Sequence, residues 1–251
     1  MVQIKNNEQL ALMRIAGRIT GEAILVGAEH IKEGVSTYEI DKAIHDYIVK
    51  CGAKPGFLGY GGFPGTACIS INDEIIHGIP SKKRILHEGD IVKIDCGAVY
   101  HGYNGDSANT FGVGKISDEA QRLIDATRES FYRGAAQAVA GNRIGDIGFA
   151  VSEYAESLGY GVVRRYVGHG VGAELHEDPE VPNFGTKGRG GRLYPGMTIA
   201  IEPMINAGTF NCREMPDGWT VKTADGKLSA HYEHTCLITP EGEPVLLTKV
   251  D

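Results

Sequence analysis

Two aspartates, Asp95 and Asp106, are the first residues in this chain placed to do chemistry together. They lie in Gly89-Asp90-Ile91-Val92-Lys93-Ile94-Asp95-Cys96-Gly97 and its continuation through Tyr100-His101-Gly102 to Asp106. Gly89-Asp90 is a turn signal, Ile91 to Cys96 has strand composition, and Tyr103 to Phe111 reads as the returning antiparallel strand. A hairpin turning near Tyr100-His101-Gly102 sets Asp95 almost opposite Asp106, with both side chains on one face. Two carboxylates that close repel, so one must bind a proton or both must bind a cation. Taken alone, the pair is equally consistent with two turn aspartates on a solvated edge.

Further candidates lie downstream. Tyr166-Val167-Gly168-His169-Gly170-Val171-Gly172 sets a histidine among glycines, which let backbone or ligand approach closely. A histidine by itself is more often structural. Leu175-His176-Glu177-Asp178-Pro179 is not the zinc-protease HExxH helix, because position 180 is Glu and Pro179 spoils the helix. Met197 to Pro203 places Glu202 at the end of an apolar run, where alone it reads as a surface charge. His231 to Leu237 puts Glu233 inside another strand, where an unpaired buried carboxylate is costly. Four carboxylates and one imidazole, all near strands, suit two divalent ions. Oxygen-rich ligation with one histidine favours manganese, iron, cobalt or zinc over a thiolate-bound metal. Bridging carboxylates would hold such ions close together and activate a water at neutral pH.

The elements that must position these residues follow a repeating order. Apolar residues from Asn7 to His30 recur at helical spacing, and Ser36-Thr37-Tyr38-Glu39 is a capping box that starts a helix ending near Gly52. Turn-rich residues from Pro55 to Gly65, a strand Ala67 to Ile71 and the hairpin come next. From Ser117 the order recurs: a helix to about Ala140, stopped by Gly141-Asn142, then a shorter one from about Asp146 to Leu158. Strands are expected at Val162 to Val167, Met197 to Glu202, His231 to Ile238 and Val245 to Thr248, with a Gly-rich surface loop from Asn183 to Leu193. Two helices followed by strands, twice over, point to two similar α/β halves packed together, about 1–113 and 114–251, in one catalytic domain.

Composition narrows the partners. With 42% hydrophobic and 23% charged residues, the 251-residue chain has the balance of a globular protein able to bury a sizeable core. A net charge of -7 without a basic run argues against nucleic acid. No apolar stretch approaches a membrane span, and Met1 to Asn6 lacks a signal peptide's apolar segment. Five cysteines, odd in number and without a CxxC pair, read as reduced thiols in a cytoplasmic protein.

Taken in order, Cys68-Ile69-Ser70-Ile71-Asn72, His77-Gly78-Ile79-Pro80, Asp95 with Asp106, Gly168-His169-Gly170-Val171-Gly172, Ile201-Glu202-Pro203-Met204, Asp217-Gly218-Trp219-Thr220 and Tyr232-Glu233-His234-Thr235 resemble the type I methionine aminopeptidases of the short bacterial form. The resemblance covers nearly the whole chain. It implies the pseudo-two-fold pita-bread fold, an antiparallel sheet covered by helices with a dinuclear metal site between the halves. It implies Asp95, Asp106, His169, Glu202 and Glu233 as ligands, Asp106 and Glu233 bridging. It also implies that His77 meets the scissile amide nitrogen or nearby backbone, that His176 meets the carbonyl oxygen, and that Glu202 carries a proton. Tyr60, Phe63 and Trp219, with Phe57 nearby, would line an apolar pocket for the methionine side chain. Asn72 and Ser229 fall where family members hold a monovalent cation.

There are departures: Phe57 stands where many bacterial members have cysteine, and Leu175 precedes His176 where an aromatic is more usual. The chain opens almost at its first helical pattern, so a zinc-finger extension is not expected, and its length leaves no room for a type II helical insertion. The expected substrate is the initiator methionine of nascent polypeptides when the second residue is small, cleaved near the ribosome by a cytoplasmic monomer. Two other readings compete. A proline-specific peptidase of the same fold would carry a separate N-terminal domain, and a non-catalytic scaffold would lack ligands that are all present here. No GxSxG supports a serine hydrolase.

Overall fold

The computed structural model describes residues 2–250. Local signals set the helix starts. Helix α1 spans Asn7–Glu29, and Asn6 and Gln9 cap it reciprocally, each side chain accepting from the other's backbone amide. Helix α2 spans Thr37–Lys50, with Ser36 and Glu39 doing the same. Helices α3 (Asp118–Ala135) and α4 (Ile144–Ser157) follow. The first of these stops five residues short of the expected Ala140. There the chain turns to pair with the Gly-rich loop, Gly141 N–H donating to Leu193 and Leu193 N–H to Asn142. The second begins two residues earlier than expected, because Asp146 accepts from the Arg143 amide and so belongs inside the first turn.

Nine strands form one antiparallel sheet: β1 (Lys54–Pro55), β2 (Ala67–Ile71), β3 (Ile91–Tyr100), β4 (Tyr103–Gly112), β5 (Gly168–Gly170), β6 (Glu177–Val181), β7 (Thr198–Ile201), β8 (Glu233–Leu237) and β9 (Val245–Leu246). The order is β1-β3-β4-β8-β7-β5-β6, with β2 also on β3 and β9 also on β8. Gly161–Val162, Met204–Asn206 and Ser229–His231 make one three-stranded sheet; Glu74–Ile76, Cys212–Glu214 and Val221–Thr223 make another.

Three strand expectations are corrected. The run Val162 to Val167 is extended only at Gly161–Val162. The run His231 to Ile238 divides at Tyr232 between two sheets, because Glu202-Pro203 interrupts the facing strand: His231 pairs with Met204, and His234 with Ile201. Pro203 has no N–H to give, and its carbonyl alone accepts from Tyr232. The hairpin turns at His101-Gly102, both with positive φ as a two-residue primed turn requires. Its register puts Gly97 opposite Asp106 and Asp95 opposite Ala108, so the two aspartates are diagonal neighbours two residues out of step. A two-residue offset preserves the face.

That alternation separates core from site. Ile94, Cys96 and Ala98 of β3 pack on Ile19, Ala23, Ile40 and Ile44 of α1 and α2, so Asp95 between them faces away from the helices. Phe131 of α3 and Ile147 of α4 cover Ile199, Ile201 and Cys236 in the same way. Helix α1 lies so close to its neighbours that a Cβ on Gly17 would be 2.4 Å from the Leu247 carbonyl oxygen. Among the described residues no helix is long and apolar enough to cross a membrane.

Candidate metal centre

Ala108 is the pivot of the site. Asp95 on β3 and Glu233 on β8 both pair with it from opposite sides, and Asp106 precedes it by one strand period. A small side chain there leaves the space around it to three carboxylates. Glu202 directly follows Ile201, the partner of His234, and so stands beside Glu233. His169 is held between Gly168 and Gly170, where a Cβ would lie 2.3 Å from the Ala200 and Asp178 carbonyl oxygens respectively. Only glycine lets β5 sit this tightly between its neighbours.

Backbone contacts fix these positions. Thr235 Oγ1 accepts from the Asp106 amide at 3.1 Å and donates to its carbonyl at 2.9 Å. Ser107 Oγ donates to the Glu233 carbonyl at 2.7 Å, and Asn183 Nδ2 to the Glu202 carbonyl at 3.0 Å. His169 Nδ1 is 2.8 Å from the Gly170 carbonyl and donates to it, which leaves the Nε2 lone pair facing the carboxylates. Nε2 lies 3.6 Å from Asp106 Oδ2 and 3.5 Å from Glu202 Oε1. Ligand atoms of Asp106, His169 and Glu233 all fall within 4.8 Å of one another.

The electrostatics are those of a site short of positive charge. Burial pushes Asp106 up to about 7. Burial and then the Asp106 charge raise Asp95, Glu202 and Glu233 well above the usual carboxylate range. His169 is lowered by burial to about 3, so its imidazole is neutral and available as a ligand. Asp95 Oδ1, Asp106 Oδ1 and Glu233 Oε1 are buried with no hydrogen-bond donor within the protein.

Above these groups lies a cavity of about 270 Å³. Its lining includes all five residues together with Phe57, Tyr60, Phe63, His77, His176 and Trp219. Phe57, Phe63, Cys68 and Leu175 form a buried apolar cluster against Trp219 and Ile79, so the two phenylalanines pack as core while also forming wall. His77 sits in the left-handed region with φ 59, an uncommon conformation for a non-glycine residue, and burial lowers it to about 4. His176 is at the exposed rim with Nδ1 2.8 Å from the Tyr60 hydroxyl and its ring 4.1 Å from that of His169.

A Metallopeptidase family M24 model matches residues 11–240. The chain belongs to that family. It is 53% identical over 246 residues to a methionine aminopeptidase of Clostridium acetobutylicum, covering 98% of each chain. The crystal structure of methionine aminopeptidase from Thermotoga maritima superposes with a TM-score of 0.98 at 42% identity, covering 100% of both chains. A prolidase from Pyrococcus furiosus matches at TM-score 0.81 and 26% identity, but this chain spans only 66% of its length. The M24 chain therefore has the pita-bread fold, and membership implies a divalent metal. The residues fit one: donorless buried oxygens, carboxylates held above their usual range and a correctly oriented imidazole all call for a cation.

Asn72 and Ser229 lie outside the cavity lining. Their backbone carbonyls accept from Lys93 Nζ at 2.8 and 3.0 Å, so a buried amino group lies between them. Lys93, Tyr166, Asn183 and His231 also bear on the site, although none is among the ligands or pocket residues expected from the sequence. A signal existed for two of them: Lys93 precedes Asp95, and His231 precedes Glu233, by one strand period. Tyr166 and Asn183 come from irregular segments and have no such signal.

Proposed function

We propose that this chain hydrolyses the first peptide bond of new polypeptides and releases the N-terminal methionine when the second residue is small. One observation carries the reading: five ligand-type side chains, three with donorless buried oxygens, floor an apolar-walled cavity beside two histidines outside the ligand set. The activity named for its full-length relatives accords with that chemistry. Asp95, Asp106, His169, Glu202 and Glu233 would hold two divalent ions, drawn from cobalt, manganese, iron(II) and zinc, with Asp106 and Glu233 shared between them. When bound, such ions acidify water and polarise the scissile carbonyl.

The protein's own groups do the rest. Glu202 takes the proton of the attacking water on its carboxylate and returns it to the departing amine. His176, oriented through Nδ1 by Tyr60, presents Nε2 to the substrate carbonyl oxygen. His77, neutral near pH 7, hydrogen-bonds the amide side of the same bond. Phe57, Tyr60, Phe63 and Trp219 enclose the methionine side chain. With His77 and His176 closing on the scissile bond, little space remains for a bulky second residue. The chain acts as one catalytic unit, with Asp95 and Asp106 from a first half of about 1–113 and the other three ligands from about 114–251. Its substrates would be nascent-chain N-termini near the ribosome, met in the cytoplasm by a monomer.

Turnover of Met-Ala-Ser against Met-Leu-Ser and Ala-Pro peptides, before and after chelation, tests this. Met-Ala-Ser should be cleaved fastest, lost on chelation and restored by cobalt, manganese or iron(II). Preference for Ala-Pro, or full activity in a verified metal-free sample, overturns it.

A further inference from the structure

His231 is the most isolated polar side chain near the site. It is 1% exposed, and neither ring nitrogen has a hydrogen-bond partner within the protein. Its backbone is held firmly, with the amide donating to Thr110 Oγ1 at 2.9 Å and the carbonyl accepting from the same hydroxyl at 2.8 Å. The ring therefore points where the strand puts it, and Nε2 lies 3.8 Å from Glu202 Oε2. The other oxygen of that carboxylate, Oε1, faces His169 Nε2 at 3.5 Å. Glu202 thus lies between two imidazoles, one approaching each oxygen.

Buried polar nitrogens in folded proteins are almost always bonded, and a lone ring N–H left in apolar surroundings is costly. Closing the 3.8 Å gap to hydrogen-bond length needs a movement of roughly 1 Å. We propose that His231 is a positioning residue for Glu202. Its Nε2–H donates to Oε2, which holds that oxygen back and leaves Oε1 on the His169 side, among the residues that would hold the metal. Asn183 holds the same residue by its backbone carbonyl, so the carboxylate has few remaining degrees of freedom. The inference rests on the aminopeptidase reading, in which Glu202 is both ligand and proton carrier.

The test compares His231→Leu, which removes the donor at similar bulk, with His231→Gln, which keeps an N–H of comparable reach. Outer hydrogen bonds to ligands typically contribute about 10- to 100-fold in metal affinity or activity. We expect His231→Leu to lose that much in kcat and in calorimetric metal affinity, with KM for Met-Ala-Ser changed less than about threefold, and His231→Gln to recover most of both. Unchanged constants in the Leu variant, or equal loss in Leu and Gln, overturn the assignment. If the Leu variant does not fold, the wild-type metal-loaded protein decides: ¹⁵N-histidine spectra should hold one slowly exchanging ring N–H that disappears in His231→Gln. Its absence overturns the proposal as well. An inactive wild-type enzyme would instead count against the aminopeptidase reading.

Discussion

Asp106 is the charge that disturbs every other acid in the site, so removing it should separate the stability of the fold from its function. In Asp106→Asn the shape is kept and the charge is lost. Burial raises this carboxyl from an ordinary 3.8 to about 7. A group raised on folding binds its proton more tightly in the native state than in the unfolded chain. Between those two values the native state carries the extra proton, so the metal-free wild type must lose stability as pH rises through this window. The difference corresponds to about 4 kcal/mol once the pH exceeds 7. Relief of Asp95, Glu202 and Glu233, which the Asp106 charge also raises, acts in the same direction. Urea unfolding with chelator present, from pH 4 to 8, is the assay. The variant should match the wild type near pH 4, gain steadily, and be more stable by a few kcal/mol at pH 8, while binding no metal tightly and cleaving no peptide. A variant no more stable than the metal-free wild type at pH 8, or an advantage that does not change with pH, would refute the reasoning.

Three further outcomes follow from the same geometry. His77→Ala and His176→Ala should keep their metal by elemental analysis while turnover falls by about 100- to 1000-fold, whereas His169→Ala should lose metal; an emptied site in either of the first two would make that residue a ligand. Because the carboxyls sit above their usual range, metal binding at pH 6 should release protons and weaken relative to pH 8; calorimetry in buffers of different ionisation enthalpy reads this, and zero proton release would contradict the site electrostatics. Gly17→Ala should cost about 1–3 kcal/mol and lower Tm, because its Cβ would press to 2.4 Å on the Leu247 carbonyl oxygen; an unchanged Tm would show that this end of the chain yields.

Much of this protein was settled by local sequence. The starts of α1 and α2 are written in Asn6 with Gln9 and Ser36 with Glu39, because a capping box satisfies its own orphan amides within four residues. The β3–β4 hairpin was legible in the same way, since His101-Gly102 supplies the positive φ that the turn demands. Residue chemistry alone also grouped Asp95, Asp106, His169, Glu202 and Glu233 as a set that suits divalent ions, and the family resemblance implied them as ligands. Other features needed the assembled fold. Strands of two or three residues, such as Gly168–Gly170 and Met204–Asn206, are too short to carry a period, and exist because longer neighbours offer them partners. The hairpin turn brought the aspartates to one face, but only the completed ladder set them diagonally around Ala108, with Glu233 arriving from β8 on its far side. Pro203 split one apparent strand between two sheets, and that break carried His231 to the side of Glu202. Periodicity sees one element at a time, whereas a site built from β3, β4, β5, β7 and β8 depends on register between elements, which long-range pairing decides.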